Sequence, residues 1–325
     1  MKILFVASGN KKVGQVNSFV RSQYDSLAEV GEQMLLYPVV GHGICGYLGN
    51  LGCLRRVIQT ERPNIVHAHY STCGFLVWMA CIGLRHRPKI FVSLLGSFPK
   101  RNLRYRIIRF FLQHVWDGAL VKSERTRSQL ELLLPVIPNG VNTSVFHPIE
   151  DARRKTGFNT ERKYIVWCSN PLRTEKNWPL AEQAVALLNE SRQKRGEQPA
   201  ELVPVYDRTP EEVAAFMNAA DCLLLTSDTE GSPNVIKEAM ACNCPIVTTD
   251  VGDVRERLHD LDGCYIVEDN DIRFTSPEKA APIVAECLEK ALAFGNRTHG
   301  MERIRQDGLE IGQIAQRIKE LYRKL

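Results

Sequence analysis

The apolar residues of this chain alternate between short continuous runs and longer stretches of helical period, and the pattern restarts halfway along. In the first half, 3–7, 34–39, 65–69, 90–95, 119–121 and 136–137 read as buried strands. Between the first two, Val16, Phe19, Val20, Tyr24, Leu27 and Ala28 recur at helical spacing and are closed by Gly31, a residue that suits a helix end. The second half repeats the scheme with strands at 164–168, 202–206, 222–226, 246–248 and 265–267. Helical candidates around 177–195, 210–220, 234–242 and 277–294 separate them. Continuous apolar strands alternating with helices imply an α/β chain whose parallel sheets are covered on both faces. At 325 residues the chain exceeds one ordinary core, so two doubly wound, Rossmann-like domains are expected, facing a central cleft at the carboxyl ends of their strands. The turn-rich segment 138–148 sets the expected boundary, giving an N-terminal domain at 1–148 and a C-terminal domain at 149–308. The amphipathic stretch 309–325 has no strand after it and is expected to pack back on the N-terminal domain.

Composition narrows the class. Hydrophobic residues at 44% and charged residues at 24% are globular values. No apolar run reaches the roughly 18 residues that a membrane-crossing helix needs. The apolar start, 1–8, is too short for a secretory signal and runs into a polar loop, so a first strand and a cytoplasmic location are expected. Ten cysteines, several of them single within apolar segments (Cys81, Cys168, Cys222, Cys287), lack the spacing of a disulfide framework. The net charge of +5 conceals an asymmetry: 1–148 carries 18 basic against 7 acidic residues, a net of +11, while 149–325 is at −6. A basic half of this kind faces something anionic.

The segment 223–241 concentrates the candidate chemistry. A strand end near Thr226, a loop with Glu230, Gly231 and Ser232, and Pro233 in a first helical turn would present the N–H groups of Asn234, Val235 and Ile236 to a diphosphate. Glu230 and Glu238 can each accept two hydrogen bonds, as neighbouring sugar hydroxyls require. Their separation alone carries nothing, because Glu182/Glu190, Glu278/Glu286 and Glu302/Glu310 share it within helical stretches. The strand, glycine loop and helix around them are what distinguish the pair.

Ser227-x-x-Glu230-Gly-Ser-Pro-Asn-Val-Ile-Lys-Glu238-Ala-Met-Ala, followed by Pro245-Ile-Val-Thr-Thr-Asp-Val-Gly-Asp253, resembles the donor signature of family 4 retaining glycosyltransferases of the GT-B fold. Asn139-Gly-Val-Asn-Thr-Ser-Val-Phe146-x-Pro148 is similar to the interdomain motif of that family, and Asn218-Ala-Ala-Asp221 to the segment before its donor loop. The resemblance implies that Glu230 meets the donor sugar, that Glu238 binds the ribose hydroxyls, and that Lys176 neutralises the leaving diphosphate. It places Gly231, Ser232, Pro233, Asn234 and Val235 in the donor site, with Gly14 after the first strand where phosphate or sugar approaches the backbone. The family's second basic residue stands five positions before the lysine, where this chain has Pro171, so Arg173 is the substitute from a different position.

On the acceptor side the family's His-Gly-x-Asp motif is replaced by Ser93-Leu-Leu-Gly-Ser-Phe98, with Leu95 at the histidine position. His69, Gly96, Ser97 and Lys100 are the acceptor candidates. Transfer is expected to use a nucleotide-diphosphate sugar, a glycan or lipid-linked acceptor of cell-surface polysaccharide assembly, and no cofactor or metal. His67-x-His69 and Cys242-x-Cys244 lack a zinc set, and Asp260-x-Asp262 and Asp269-x-Asp271 read as turns. In 100–112, arginines interleave with Leu, Ile and Phe, the composition of an interfacial helix at an anionic membrane surface. No nucleic-acid-binding pattern is present. The competing readings are a non-hydrolysing sugar-nucleotide epimerase, a catalytically silent nucleotide-sugar binder, and a glycosidase using the two glutamates.

Overall fold

The computed structural model describes residues 1–10, 14–96, 102–267 and 276–325. The chain divides into two units, Met1–Gly140 with Ile311–Leu325, and Val141–Glu310. The division falls at Gly140, ahead of the expected 148, and has a local cause. A β-carbon on Gly140 would lie 2.7 Å from the Ile311 α-carbon, so only glycine lets the departing and returning strands of chain run side by side. With these boundaries unit 1 carries 22 basic and 8 acidic residues and unit 2 carries 20 and 29, a sharper asymmetry than the halves suggested.

Unit 1 runs β1 (Lys2–Ser8), α1 (Ser18–Glu29), β2 (Gln33–Val39), α2 (Gly43–Leu48), α3 (Leu51–Glu61), β3 (Ile65–His69) and α4 (Ser71–Cys81). It continues with β4 (Lys89–Leu94), α5 (Leu103–His114), β5 (Gly118–Val121) and α6 (Glu124–Leu130). The expected strand at 136–137 is only an isolated bridge from Val136 to Val121. Pro135 and Pro138 on either side remove the N–H groups that a sixth ladder would need.

Unit 2 runs α7 (Ala152–Thr156), β6 (Tyr164–Trp167), α8 (Trp178–Lys194), β7 (Glu201–Pro204), α9 (Pro210–Ala219) and β8 (Cys222–Leu225). It closes with α10 (Asn234–Ala241), β9 (Ile246–Thr249), α11 (Val254–Leu258), β10 (Cys264–Val267), α12 (Pro277–Phe294) and α13 (Gly300–Gln306). The last helix, α14 (Ile311–Arg323), returns to unit 1.

The sheets are ordered β2-β1-β3-β4-β5 and β10-β9-β8-β6-β7, and all their pairings are parallel. Read from the second strand of each unit, the two orders are the same, the flavodoxin-like 2-1-3-4-5. Every residue of β3, β6, β8 and β9 is buried, as strands covered on both faces must be. The unit 1 core gathers Leu4, Val66, Leu76, Val92 and Val121 around Trp116, and that of unit 2 gathers Ile165, Leu188, Leu224, Val247 and Leu288 around Trp167. Burying each such side chain stabilises by about 1.5–3 kcal/mol. In both units the chain reverses direction across the sheet between the first and third strands, and such switch points are where doubly wound folds hold ligands, at the carboxyl edge.

α14 completes unit 1. Its buried face of Ile314, Ala315, Ile318 and Tyr322 packs beside α1. Tyr322 hydroxyl pairs with His67 Nδ1, whose other ring nitrogen meets Ser93 Oγ at 2.7 Å. Lys319 adds an ion pair to the buried carboxylate of Glu32 at 3.3 Å.

Candidate functional site

At the switch point of unit 2 the loops after β6 and β8 lie together. The indole N–H of Trp167, the last residue of β6, donates to Thr226 Oγ1 at 3.0 Å. That hydroxyl, fully buried just after β8, donates to the carbonyl oxygens of Lys176 at 2.9 Å and Asn177 at 3.0 Å. The single 3-10 turn Thr174–Lys176 is therefore fastened to both strands before any side chain reaches a substrate. Asn177 leaves the turn at φ +52, a conformation that asparagine tolerates better than most residues, and caps α8 while its amide donates to Asp228 Oδ1 at 3.0 Å.

From this anchored turn Lys176 Nζ donates to Glu230 Oε1. Ser227 Oγ donates to the same oxygen at 3.0 Å, and Ser227 is itself held by Thr249 Oγ1, which donates to its carbonyl at 2.7 Å. The pair is only partly exposed, with side-chain exposures of 14% for Lys176 and 18% for Glu230. Arg173 stands apart from this cluster: 57% exposed, it forks onto Glu175, Nε to Oε1 at 2.8 Å.

Pro233 is the N-cap of α10 rather than a residue of its first turn, and the helix begins at Asn234. Asn234, Val235 and Ile236 thus occupy the first helical positions, whose N–H groups an α-helix cannot satisfy internally. The positive end of the helix dipole coincides with them. Gly231 is covered by the loop after β9, where a β-carbon on Gly252 (φ +59) would come within 2.8 Å of the Gly231 carbonyl oxygen. Ser232 Oγ donates to Asp253 Oδ2 at 2.8 Å and accepts from Lys237 Nζ at 2.7 Å. Arg257 holds the same Asp253 oxygen at 3.2 Å and Asp307 at 3.0 Å.

Glu238 lies about one turn into α10, partly buried, and its carboxylate makes no hydrogen bond or ion pair among the described residues. Burial pushes its carboxyl up to about 7, with the Lys237 ammonium acting in the opposite direction. The other glutamate pairs at the same spacing differ: Glu182, Glu190, Glu278, Glu286 and Glu302 are exposed, and Glu286 is paired with Lys290 at 2.7 Å.

At the carboxyl edge of unit 1, Gly14 is exposed at φ +82 in the loop ahead of α1, its N–H donating to the Gly9 carbonyl at 2.9 Å. It follows β1 as expected and precedes α1, which begins at Ser18. The closer approach belongs to Gly9, where a β-carbon would meet Pro38 Cβ at 2.7 Å. Gly96 follows β4 at φ +96, its carbonyl accepting from Thr126 Oγ1 at 3.3 Å. Ser97 and Lys100 lie outside the described residues, as do Asp269 and Asp271. His69 is fully buried, stacked on His67 at 4.5 Å and edge-on to Phe5 at 4.6 Å, with neither ring nitrogen hydrogen-bonded. Burial, with Lys122 nearby, lowers its pKa to about 3 and keeps the ring neutral. These contacts make His69 a packing ring of the unit 1 core, buried away from the surface where an acceptor contact was expected.

Sequence reasoning gave no role to Trp167, Thr226, Asn177, Asp253 or the buried Lys237. Thr226, Lys237 and Asp253 nevertheless lie within the segments it singled out. Among the described residues no group of three or more His, Cys, Asp or Glu side chains could hold a metal ion. No helix there is long and apolar enough to cross a membrane.

Residues 16–145 match the glycosyltransferase family 4 model and residues 181–278 the glycosyl transferases group 1 model. Among characterised proteins, N-acetyl-alpha-D-glucosaminyl L-malate synthase of Bacillus anthracis is 24% identical over 288 residues, covering 78% of this chain and 74% of that one. Sucrose-phosphate synthase of Thermosynechococcus elongatus superposes with a TM-score of 0.75 at 16% identity, covering 100% of this chain and 99% of that one. Anabaena HepE in complex with UDP-glucose does so with a TM-score of 0.70 at 16% identity, over 100% of both chains. The chain is a glycosyltransferase of the GT-B fold, a family 4 domain followed by a group 1 domain.

Proposed function

We propose that this glycosyltransferase moves a sugar from a nucleoside-diphosphate sugar to a glycan or lipid-linked acceptor, with retention at the anomeric carbon and without a metal ion. One observation carries the reading: Lys176, Glu230 and Ser227 form a partly buried cluster at the switch point of unit 2, beside the first turn of α10 and the unpartnered carboxylate of Glu238. A diphosphate placed there meets the Lys176 ammonium and the first-turn N–H groups, and Glu230 is released to accept from sugar hydroxyls. Glu238 is the acceptor for the two ribose hydroxyls. Arg173 reaches the diphosphate by exchanging its Glu175 partner, a surface pair that costs little to break.

In the transfer itself the bond from the anomeric carbon to the diphosphate oxygen breaks. The acceptor oxygen bonds to that carbon on the same face, and its proton passes to the departing oxygen. No protein base is required, in keeping with Leu95 in place of a histidine. On the acceptor side, Gly14 and Gly96 with Ser97 and Lys100 remain the proposed contacts, serving cell-surface glycan assembly from the cytoplasmic side of a membrane.

The test is a thermal-shift panel of nucleotide diphosphates and nucleotide sugars, followed by transfer assays. Uridine nucleotides come first, because HepE was solved with UDP and UDP-glucose. L-malate joins the acceptors, because the Bacillus anthracis relative is named for it. A ligand whose stabilisation disappears in Glu238→Ala, a product of retained anomeric configuration, and activity that persists in chelator are the expected results. A panel in which nothing binds would sink the reading, inversion would remove the same-face step, and strict dependence on added manganese would remove the metal-free one.

A further inference from the structure

Helix α5 is amphipathic in an unusual sense. Its inner face, Tyr105, Ile108, Phe111 and Leu112, packs into the unit 1 core, as a surface helix should. Its outer face is also apolar along its centre: Leu103, Ile107 and Phe110 are 71%, 40% and 54% exposed. These positions are spaced i, i+4 and i+7, so they form one stripe along the helix. Arg104 and Arg106 project on opposite flanks of that stripe, and the helix contains no acidic residue. Arg109 lies away from it, engaged with the Leu130 carbonyl at 2.9 Å and with Glu131.

We infer that the outer face of α5 docks on an anionic lipid bilayer, with the helix lying in the headgroup plane. Twelve residues span about 18 Å, too short to cross a hydrocarbon core of about 30 Å, whereas a stripe of Leu, Ile and Phe bordered by arginines suits the boundary between acyl chains and headgroups. The charge argues for lipid as the occupant. Unit 1 carries 22 basic against 8 acidic residues, and each cation held near an anionic surface strengthens attachment by about fivefold. The inference deepens the proposed function by naming the surface on which a lipid-linked acceptor is met, and it rests on that reading only for the acceptor.

The experiment sediments the full chain with vesicles of phosphatidylcholine containing phosphatidylglycerol, and with phosphatidylcholine alone, at low ionic strength. The chain is expected to partition onto the anionic vesicles and to be released by salt. The double substitutions Leu103→Glu with Phe110→Glu, and Arg104→Glu with Arg106→Glu, should each lower partitioning by at least about tenfold. A thermal shift with UDP on the same preparations reports that the variants are folded. Equal binding to both vesicle types, no binding to either, or double variants that bind like the parent would overturn the docking surface. A dimer in vesicle-free solution that Phe110→Glu dissociates would overturn it in favour of a protein partner. Loss of the UDP shift with vesicle binding intact would instead strike the proposed donor site and leave α5 standing.

Discussion

The ammonium of Lys237 donates to Ser232 Oγ at 2.7 Å inside the protein, joining the end of the loop after β8 to the body of the helix that follows it. Ser232 passes the link to Asp253, and Arg257 carries it to Asp307. The turn at Glu230–Pro233 is thus held by a relay of polar side chains, of which Lys237 and Asp253 are buried. A buried hydrogen bond from a charged donor contributes about 1.5–3 kcal/mol. Lys237→Met should therefore lower the urea midpoint markedly and weaken nucleotide binding with it. An unchanged midpoint would show that the relay does not hold the turn.

Glu238 sets a pH dependence. Its carboxyl is raised to about 7 from an ordinary 4.5, so the folded chain holds its proton more tightly than the unfolded one. The stability it contributes is complete at low pH and is lost as pH rises toward 7, amounting to about 3 kcal/mol at most. Glu238→Gln should flatten that part of the stability profile. Ribose hydroxyls donate to the ionised form, so nucleotide affinity should rise with pH through about 7 in the parent chain and stay level in Glu238→Gln. Affinity that instead falls with rising pH would mean the protonated acid is the binding form.

Lys176 and Glu230 should separate from the other candidates in kinetics. Withdrawing a cation from a developing diphosphate charge costs on the order of a hundred- to a thousandfold in rate. Lys176→Ala should lower kcat in that range, and Glu230→Gln should lower kcat/KM with the fold intact. Arg173→Ala should cost less than Lys176→Ala, because its reach to the diphosphate competes with the Glu175 pair. No loss at all at Arg173 would show that the arginine stays on Glu175.

The two stacked histidines predict opposite outcomes. His67 satisfies Tyr322 and Ser93, so His67→Phe leaves two buried hydroxyls unpaired and should destabilise by about 1–3 kcal/mol. His69 makes no hydrogen bond, so His69→Phe should leave the melting temperature unchanged or raise it. A large loss of transfer in a stable His69→Phe would restore this ring to the acceptor site.

Much of this was legible in the order of residues. Ten of the eleven expected strands appear as strands, because continuous apolar runs flanked by glycine and polar turns have few other ways to bury themselves. The exception, 136–137, failed on its prolines. The strand–glycine–helix context of Glu230 and Glu238 was equally plain, while their spacing, shared with three other glutamate pairs, was not informative.

The sequence by itself determined the two parallel sheets, the strand–glycine–helix junction at 226–234 and the basic character of the first unit, all of which follow from local pattern and composition. Only the tertiary structure decided which glutamate stays unpartnered, which lysine is spent on the relay, and that Arg173 turns to Glu175. It also turned His69 inward and left Leu103 and Phe110 outside. The physical reason is that burial and pairing depend on residues far apart in the chain, such as Trp167 with Thr226 or His67 with Tyr322, and no local period encodes them.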